Sequence, residues 1–561
     1  LHGPHIFTRS SSHECIIDGD YEVIGRGPIG AGDNEIIQNI LDVENNVPSL
    51  LTFCLSAIHQ QQFAHALEAA LAALKLDPNH AEAHHLVSHA YAGIGDHFMA
   101  RIMLKRAIAL EPDNPQYHYN AAVNASIDGD TPRAMVHYAQ ALRLAPDLLD
   151  ALWNYGECLR LDEQFTLALG CFERLVALNA THYESLWDRM SVCYASLDRH
   201  EEAEAMYQRA FAAHHSGALA HWEYALYKLS LDDFETGFKY YNDRFLCEGK
   251  NSVFCHDFPY PLWSGVFKHS ETLLIHSEQG LGDELMFASL FNELLDEAEA
   301  ANAQVIIACK PGLARLFADN FPRAQVRTHM VGDRPADLSD VDVDAQLPMG
   351  HLMRLYRKKM DDFIAHRQPY IKADPERTAY YAERIQRLGR EAVDGKRRFR
   401  VGLMWGSNPA AVSAKFSRWA HQRSIPLNAL SPLTGMLDDI EFISLQNQER
   451  GSEAATAPQL DIVDFSLDQA DFYDTAALIS NLDLVISVDT SVSHLAGGMG
   501  VPTWVPLMKR ADWRHGRTRE HSIWYDQTRY FRQTQANDWQ AVVQAMHDAL
   551  HMLIDEKKAQ P

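Results

Sequence analysis

The stretch "LDLVISVDTSVSHLAGGMGVPTWVPL", residues 482–507, decides how the C-terminal half of this chain folds. "LDLVIS" is short, apolar and β-branched, and "VPTWVPL" repeats that character, so each reads as a buried strand. The crowded segment between them, with Asp489, Thr490, Ser491, Ser493, His494 and a run of glycines, predicts a strand-to-helix-to-strand corner. A helix N-terminus at such a corner presents backbone N–H groups with a partial positive charge and favours an anion, here a phosphate-bearing ligand.

Working outward, the same alternation recurs. "TLLIHS", "AQVIIAC", "FRVGLMWGS" and "IEFISLQ" are short apolar strands separated by helical segments, which implies parallel sheets covered by helices. The charged segment "DPERTAYYAERIQRLGREAVDGKRRFR" lies between the early and late strands and predicts a helix ending at Gly395. Two α/β lobes joined by that helix follow, with ligand expected between them at the C-terminal strand edges.

The N-terminal half has a different grammar. Pro78, Pro112, Pro146 and Ala180 recur at intervals of 34 residues, and upstream of them lie Ala66, Ala100, Ala134 and Ala168, followed by Ala203 after one extra residue. Tyr138, Phe172 and Tyr207 supply a large packing residue in the later copies. This period and layout match tetratricopeptide repeats, in which alanine lets paired helices approach and proline breaks the chain before the next pair. Residues 47–216 therefore read as an α-helical repeat array for protein or peptide, with His84, His118, Asn120, Asn124 and Asn154 as candidate groove residues. Residues 1–46 form a loop-rich lead-in without signal-peptide layout, and the aromatic-rich residues 217–270 a helical connector.

At 561 residues, two or three domains are expected. A net charge of −25 disfavours nucleic acid and anionic lipid as partners. No apolar run approaches the ~18 residues of a membrane-spanning helix, so a soluble protein is expected. The eight cysteines never form a Cys-x-x-Cys pair, which suits buried thiols in a reducing cytoplasm.

Three corners carry groups capable of chemistry. "HSEQGLGDELMF" brings Gly280 and Gly282 to a tight turn before a helix starting near Asp283, which makes Asp283 or Glu278 a candidate general base, with a helix cap as the alternative role for Asp283. The corner at Asp489, Thr490, Ser491 and His494 is the second. The third, "SNPAAVSAKFSRWAHQRSIPL", offers Ser407, Asn408, Lys415, Arg418 and Arg423 as a diphosphate clamp. Ser444 and Gln446 end a strand where backbone groups could read a nucleobase. The Asp340, Asp342 and Asp344 spacing reads as a strand with outward-facing acids rather than a metal site.

Taken in order, "LLIHSEQGLGDELMF", "VGLMWGSNP", "RSIPL", "FISLQ", "DLVISVDTSVSHLAGGMGVPTWV" and "ADWRHG" resemble the catalytic region of bacterial tetratricopeptide-repeat glycosyltransferases. These are similar to heptosyltransferases and, more distantly, to O-GlcNAc transferase. The resemblance implies a GT-B fold of two Rossmann-like lobes, here residues 271–395 for the acceptor lobe with its linker and 396–561 for the nucleotide-sugar lobe. It places the base on Asp283 and the donor diphosphate and sugar on Asp489, Thr490 and His494, and it implies no metal cofactor. The sequence departs from the family in the longer loop after Asn408 and at His515, where an aromatic side chain is common. The expected activity is transfer of a sugar from a nucleotide-sugar to hydroxyl side chains of a protein, flagellin being one such acceptor. The alternatives are a lipopolysaccharide-type transferase, which the net charge disfavours, and an inactive scaffold, which the presence of Asp283, Asp489 and His494 disfavours.

Overall fold

A computed structural model describes residues 46–183, 185–213, 217–247, 253, 256–329, 335–389, 397–407, 420–446 and 448–559. The chain divides between Ser216 and Gly217 into two units.

The first unit is a helical repeat array. Its helices come as hairpins: Val47–His59 with Phe63–Leu76, Ala81–Gly93 with His97–Leu110, Pro115–Ile127 with Thr131–Leu144, Leu149–Leu161 with Phe165–Ala177, and Leu186–Ser196 with His200–Ala212. Ala66, Ala100, Ala134, Ala168 and Ala203 are fully buried where the helices touch, and Tyr138, Phe172 and Tyr207 fill the space beside them. Each hairpin turns through one residue in the left-handed region: Gln61 (φ 58°), Gly95 (φ 84°), Gly129 (φ 77°), Glu163 (φ 61°) and Asp198 (φ 57°). These positions keep the same 34-residue interval and the same single insertion as the alanines.

The second unit begins with one more hairpin in the same register. Helices Ala218–Ser230 and Phe234–Tyr241 are joined through Asp232 (φ 64°), and Asp233 caps the second helix by accepting a hydrogen bond from Thr236 N. Gly237 occupies the small-residue position 34 residues after Ala203, where a Cβ would lie 2.5 Å from the Leu229 side chain. The aromatic stretch expected as a connector thus contains a sixth repeat-like hairpin. Its Phe234, Phe238 and Tyr241 are buried in the core of the second unit with Phe287, Phe363 and Trp513.

Two parallel sheets follow. The first has the order β3-β2-β1-β4, from β1 (Thr272–His276), β2 (Gln304–Cys309), β3 (Gln325–Thr328) and β4 (Ala345–Pro348). The second has the order β6-β5-β7-β8-β9, from β5 (Phe399–Met404), β6 (Ile440–Ser444), β7 (Leu484–Ser487), β8 (Thr503–Leu507) and β9 (Thr528–Arg532). Strand order reverses beside β1 in one sheet and between β5 and β7 in the other, and ligands of open α/β sheets bind at the carboxyl ends of strands at such points. One apolar core runs through both lobes, from Leu273 and Phe291 to Leu495 and Trp524. A second joins Val401, Phe442 and Ile486 to Val543 and Met546 of the last helix, Trp539–Ala559.

Two expectations change. Asp340, Asp342 and Asp344 precede β4 in a turn-containing segment and do not alternate along a strand. Asp340 pairs with Arg327 at 2.7 Å, and Asp344 accepts the Thr272 N–H at 2.8 Å. The helix between the sheets ends at Leu388 with Gly389 as its C-cap, seven residues before it was expected to stop. Cys54, Cys158, Cys171, Cys193, Cys247 and Cys309 are all buried, whereas Cys15 and Cys255 lie outside the described residues. No described helix is long and apolar enough to cross a membrane.

Candidate active site

The two glycine-rich corners meet. Helix Leu281–Phe287, which follows β1, packs against helix Ser491–Gly498, which follows β7. The approach depends on Gly282, because a Cβ there would lie 3.2 Å from His494 Cδ2 and 3.3 Å from Ser491 Cα.

Asp283 is the helix cap considered for it from sequence, and its second oxygen is engaged as well. Its Oδ2 accepts the Gly280 N–H at 2.8 Å, capping its own helix, while Oδ1 is paired with Arg514 Nη2 from the other lobe. Arg514 also donates through Nη1 to Asp512 Oδ1 at 2.7 Å. Burial opposes the guanidinium charge, but Asp512 and Asp283 outweigh it and raise the group above its ordinary value. Arg514 is therefore a fixed cation, 10% exposed, lying across the cleft between two acids.

Asp489 emerges from β7 on the same edge. Burial alone would push its carboxyl up, but His515, Arg423 and His494 hold it well below the usual carboxylate range. Its Oδ1 lies 3.1 Å from His515 Nε2. Burial pushes His494 down to about 3 despite the neighbouring Asp489, so its imidazole is neutral at physiological pH. Arg423 donates to Ser407 Oγ at 2.6 Å beyond the end of β5, facing Asp489, Asp512 and Asp283. Cations and acids thus interleave at the carboxyl ends of β1, β5 and β7, which suits a ligand carrying an anionic and a hydroxylated part. Among the described residues no group of three or more His, Cys, Asp or Glu side chains is arranged to hold a metal ion.

Other candidates sit elsewhere in the hydrogen-bond network. Glu278 is buried and paired with Arg244, whose guanidinium stacks between Tyr241 and Phe245, which removes it as a base for a solvent-borne hydroxyl. Several hydroxyls of the second corner tie the corner to itself. Thr490 Oγ1 is 3.1 Å from Ser487 Oγ, and Ser493 Oγ donates to Thr490 O at 2.7 Å. Ser491 begins the helix beside Gly282. Ser444 and Gln446 are fully buried, and the Gln446 amide clasps Gly406 N and O at 3.2 and 3.1 Å, so they brace β5 against β6. Asn408, Lys415 and Arg418 lie outside the described residues.

In the array, His84 and His118 bond Pro78 O and Pro112 O through Nε2, both at 2.9 Å, in consecutive repeats. Asn120 reaches His85 Nε2 at 2.5 Å, Asn154 donates to Tyr119 Oη at 3.3 Å, and Asn124 is 8% exposed. Local contacts engage His84, His118, Asn120 and Asn154.

Sequence reading named Arg423 among the clamp candidates and passed over Arg514 and Asp512. The available signal was the alternation of acid and cation in "ADWRHG".

No family model matches the chain. It is 26% identical over 461 residues to Protein FlbA of Caulobacter vibrioides, an alignment covering 80% of this chain and 69% of that protein. It is 30% identical over 82 residues to the general transcriptional corepressor trfA of Dictyostelium discoideum, covering 15% of this chain and 6% of that one. Among solved structures, the tetratricopeptide protein YrrB, described as having an unusual peptide-binding site, is similar at a TM-score of 0.28 and 20% identity over 34% of this chain and 96% of that chain. MamA is similar at a TM-score of 0.27 and 17% identity, over 30% and 90% of the two chains. Likenesses at such scores add nothing to the fold described above.

Proposed function

We propose that the chain is a glycosyltransferase that moves a sugar from a nucleotide-sugar to a hydroxyl side chain of a protein held by the repeat array. The observation that carries this reading is the convergence of Asp283, Arg514, Arg423, Asp489 and His494 at facing reversal points of two parallel sheets. The acceptor hydroxyl oxygen attacks the anomeric carbon while its proton passes to Asp283, and the bond from that carbon to the diphosphate breaks. The leaving oxygen takes the electron pair, and Arg423 and Arg514 neutralise it. Because Asp283 Oδ1 is engaged by Arg514, a donor diphosphate that draws the guanidinium toward itself also releases the base. Flagellin is the acceptor to which the resemblance points.

A second reading has one observation in its favour: both Asp283 oxygens are occupied, as expected in an inert scaffold. Thermal-shift measurement of the full chain against a panel of nucleotide-sugars and nucleoside diphosphates, followed by assay of donor hydrolysis, separates the two. Stabilisation with turnover supports the transferase, stabilisation without turnover supports the scaffold, and no stabilisation by any member of the panel refutes the donor site.

A further inference from the structure

The turn that carries Arg514 and His515 is held from behind by a second layer of cations. Asp512 caps it, accepting the Arg514 N–H at 3.1 Å, and Gly516 closes it at φ 60°. Between these two, Arg514 reaches Asp283 after β1 and His515 lies 3.1 Å from Asp489 after β7, so one turn addresses an acid of each lobe.

Both carbonyls of that turn are engaged by buried donors. Arg514 O accepts from Arg519 Nη2 at 3.2 Å and from Trp524 Nε1 at 3.1 Å. His515 O accepts from Arg519 Nε at 3.3 Å and from Arg532 Nη2 at 2.5 Å. Arg519 thus spans two successive carbonyls with the rigid fork of one guanidinium. A Cβ on Gly516 would lie 2.3 Å from Arg519 Nε, so the guanidinium fills the space that any side chain at 516 would need. The two peptide groups follow Arg514 and flank His515. Because each is planar, fixing its carbonyl fixes the directions in which those side chains leave the backbone.

Arg519 is in turn seated on the sixth hairpin. Asp232, the left-handed residue at the hairpin's turn, forms an ion pair with Arg519 Nη2 at 3.5 Å. Burial works against the Arg519 charge, and Asp232 sustains it. Beside this pair Arg517 Nε donates to Ser230 Oγ at 3.2 Å, and Trp513 meets the Phe238 and Tyr241 rings edge-on, each with centroids 5.8 Å apart. The same hairpin holds the loop leading to Asp283, where Gln279 Nε2 donates to Tyr241 Oη at 2.8 Å.

We propose that Arg519, seated on the sixth hairpin through Asp232, is a positioning residue of the donor site, whose fork aims Arg514 at the donor diphosphate and His515 at Asp489. This rests on reading the cleft as a nucleotide-sugar site. Arg519 itself touches neither ligand nor reacting atoms in this scheme, since Nε and Nη2 are spent on the turn and Nη1 is buried.

Arg519→Lys tests the inference in the full chain, because lysine keeps the charge opposite Asp232 and loses the fork. Nitrogen-15 spectra of the arginine side chains, with the Arg514 signal assigned by its loss in Arg514→Lys, should show that signal shifted or broadened in Arg519→Lys. Calorimetric titration with uridine, cytidine, guanosine and thymidine diphosphates should show binding weakened roughly tenfold, the equivalent of one hydrogen bond. Should Arg519→Lys fail to fold, Asp232→Asn, which retains a residue tolerant of the left-handed turn, should move both readouts the same way, with binding weakened about threefold. Arg357→Lys, which loosens a buried pair with Glu293 in the first lobe, serves as the stability control and should leave both readouts unchanged. An unmoved Arg514 signal overturns the positioning, as does equal weakening of diphosphate binding by Arg357→Lys. A shifted signal with parental affinity overturns the link to the diphosphate. Failure of the parent to bind any of the four diphosphates removes the donor site along with the proposed function, and whether Arg519 positions Arg514 is still decided by the spectrum.

Discussion

Replacing Asp283 with asparagine separates the two contacts its carboxylate makes from the base role proposed for it. The native group accepts from Gly280 N through one oxygen and from Arg514 through the other, and asparagine has only one acceptor oxygen to offer. Hydrogen bonds to charged groups contribute about 1.5–3 kcal/mol each. Arg514 keeps Asp512, and the Asp283 side chain is 20% exposed, so the loss should fall near the lower end, about 1–2 kcal/mol. For a unit this large that corresponds to a melting shift of only a few degrees. Nucleotide affinity should move the other way: an Arg514 no longer competed for by Asp283 is available to the diphosphate, tightening binding by up to about tenfold, or 1.4 kcal/mol. Transfer should nevertheless fall by about 10²- to 10⁴-fold, the range typical of a positioned base. Calorimetric titration with nucleoside diphosphate, a melting curve and a radiolabelled sugar-transfer assay on the same preparation give all three quantities. Weaker nucleotide binding in Asp283→Asn would show that the pair is not a competitor of the ligand, and transfer within a factor of two of the parent would reduce Asp283 to a helix cap.

Glu278→Gln, which breaks a pair whose side chains are at most 1% exposed, should cost about 3–5 kcal/mol of stability by leaving Arg244 buried without its carboxylate, read as a lowered urea midpoint. Acidification should destabilise the second unit below about pH 6.5. Burial pushes His329 and His494 to about 3, so between pH 6.5 and that value the unfolded chain binds protons that the folded one refuses. Each contributes a slope of about 1.4 kcal/mol per pH unit, and His329→Asn should flatten the melting temperature against pH; an unchanged slope refutes this. A fragment of residues 217–561 should fold, whereas one starting at residue 242 should not, because Phe234, Phe238 and Tyr241 belong to its core; circular dichroism melts of the two decide.

What could be read along the chain was whatever repeats or alternates locally. The 34-residue interval and the β-branched runs that became the parallel strands are of this kind. The sixth hairpin escaped notice because it keeps the cap at Asp233 and the small residue at Gly237 but lacks the closing proline, and its other positions turned aromatic to fit a different core. The left-handed turns were hidden for a related reason, since Gln61, Glu163 and Asp198 adopt a conformation usually signalled by glycine. At the site, Asp283 was legible as a cap because that role depends on its near neighbours. Its partner Arg514 lies 231 residues away, and no local pattern encodes a pairing made only when two sheets face each other. The Gly497–Gly498 pair looked like turn punctuation, yet both residues are helical and their smallness accommodates two tyrosine rings from other segments.

The hairpin Ala218–Ser230 and Phe234–Tyr241 places the seam of this protein inside a repeat series rather than at its end. For inheritance this is permissive on one side and strict on the other. Gene duplication or loss of whole 34-residue units upstream of Gly217 changes the length of the repeat arm and leaves the second unit intact. A recombination event that treats the sixth hairpin as one more interchangeable repeat removes part of the downstream core. Homologues of differing arm length should therefore vary in the number of units before position 217 and keep this hairpin, and a chimaera that borrows the downstream unit must carry it along.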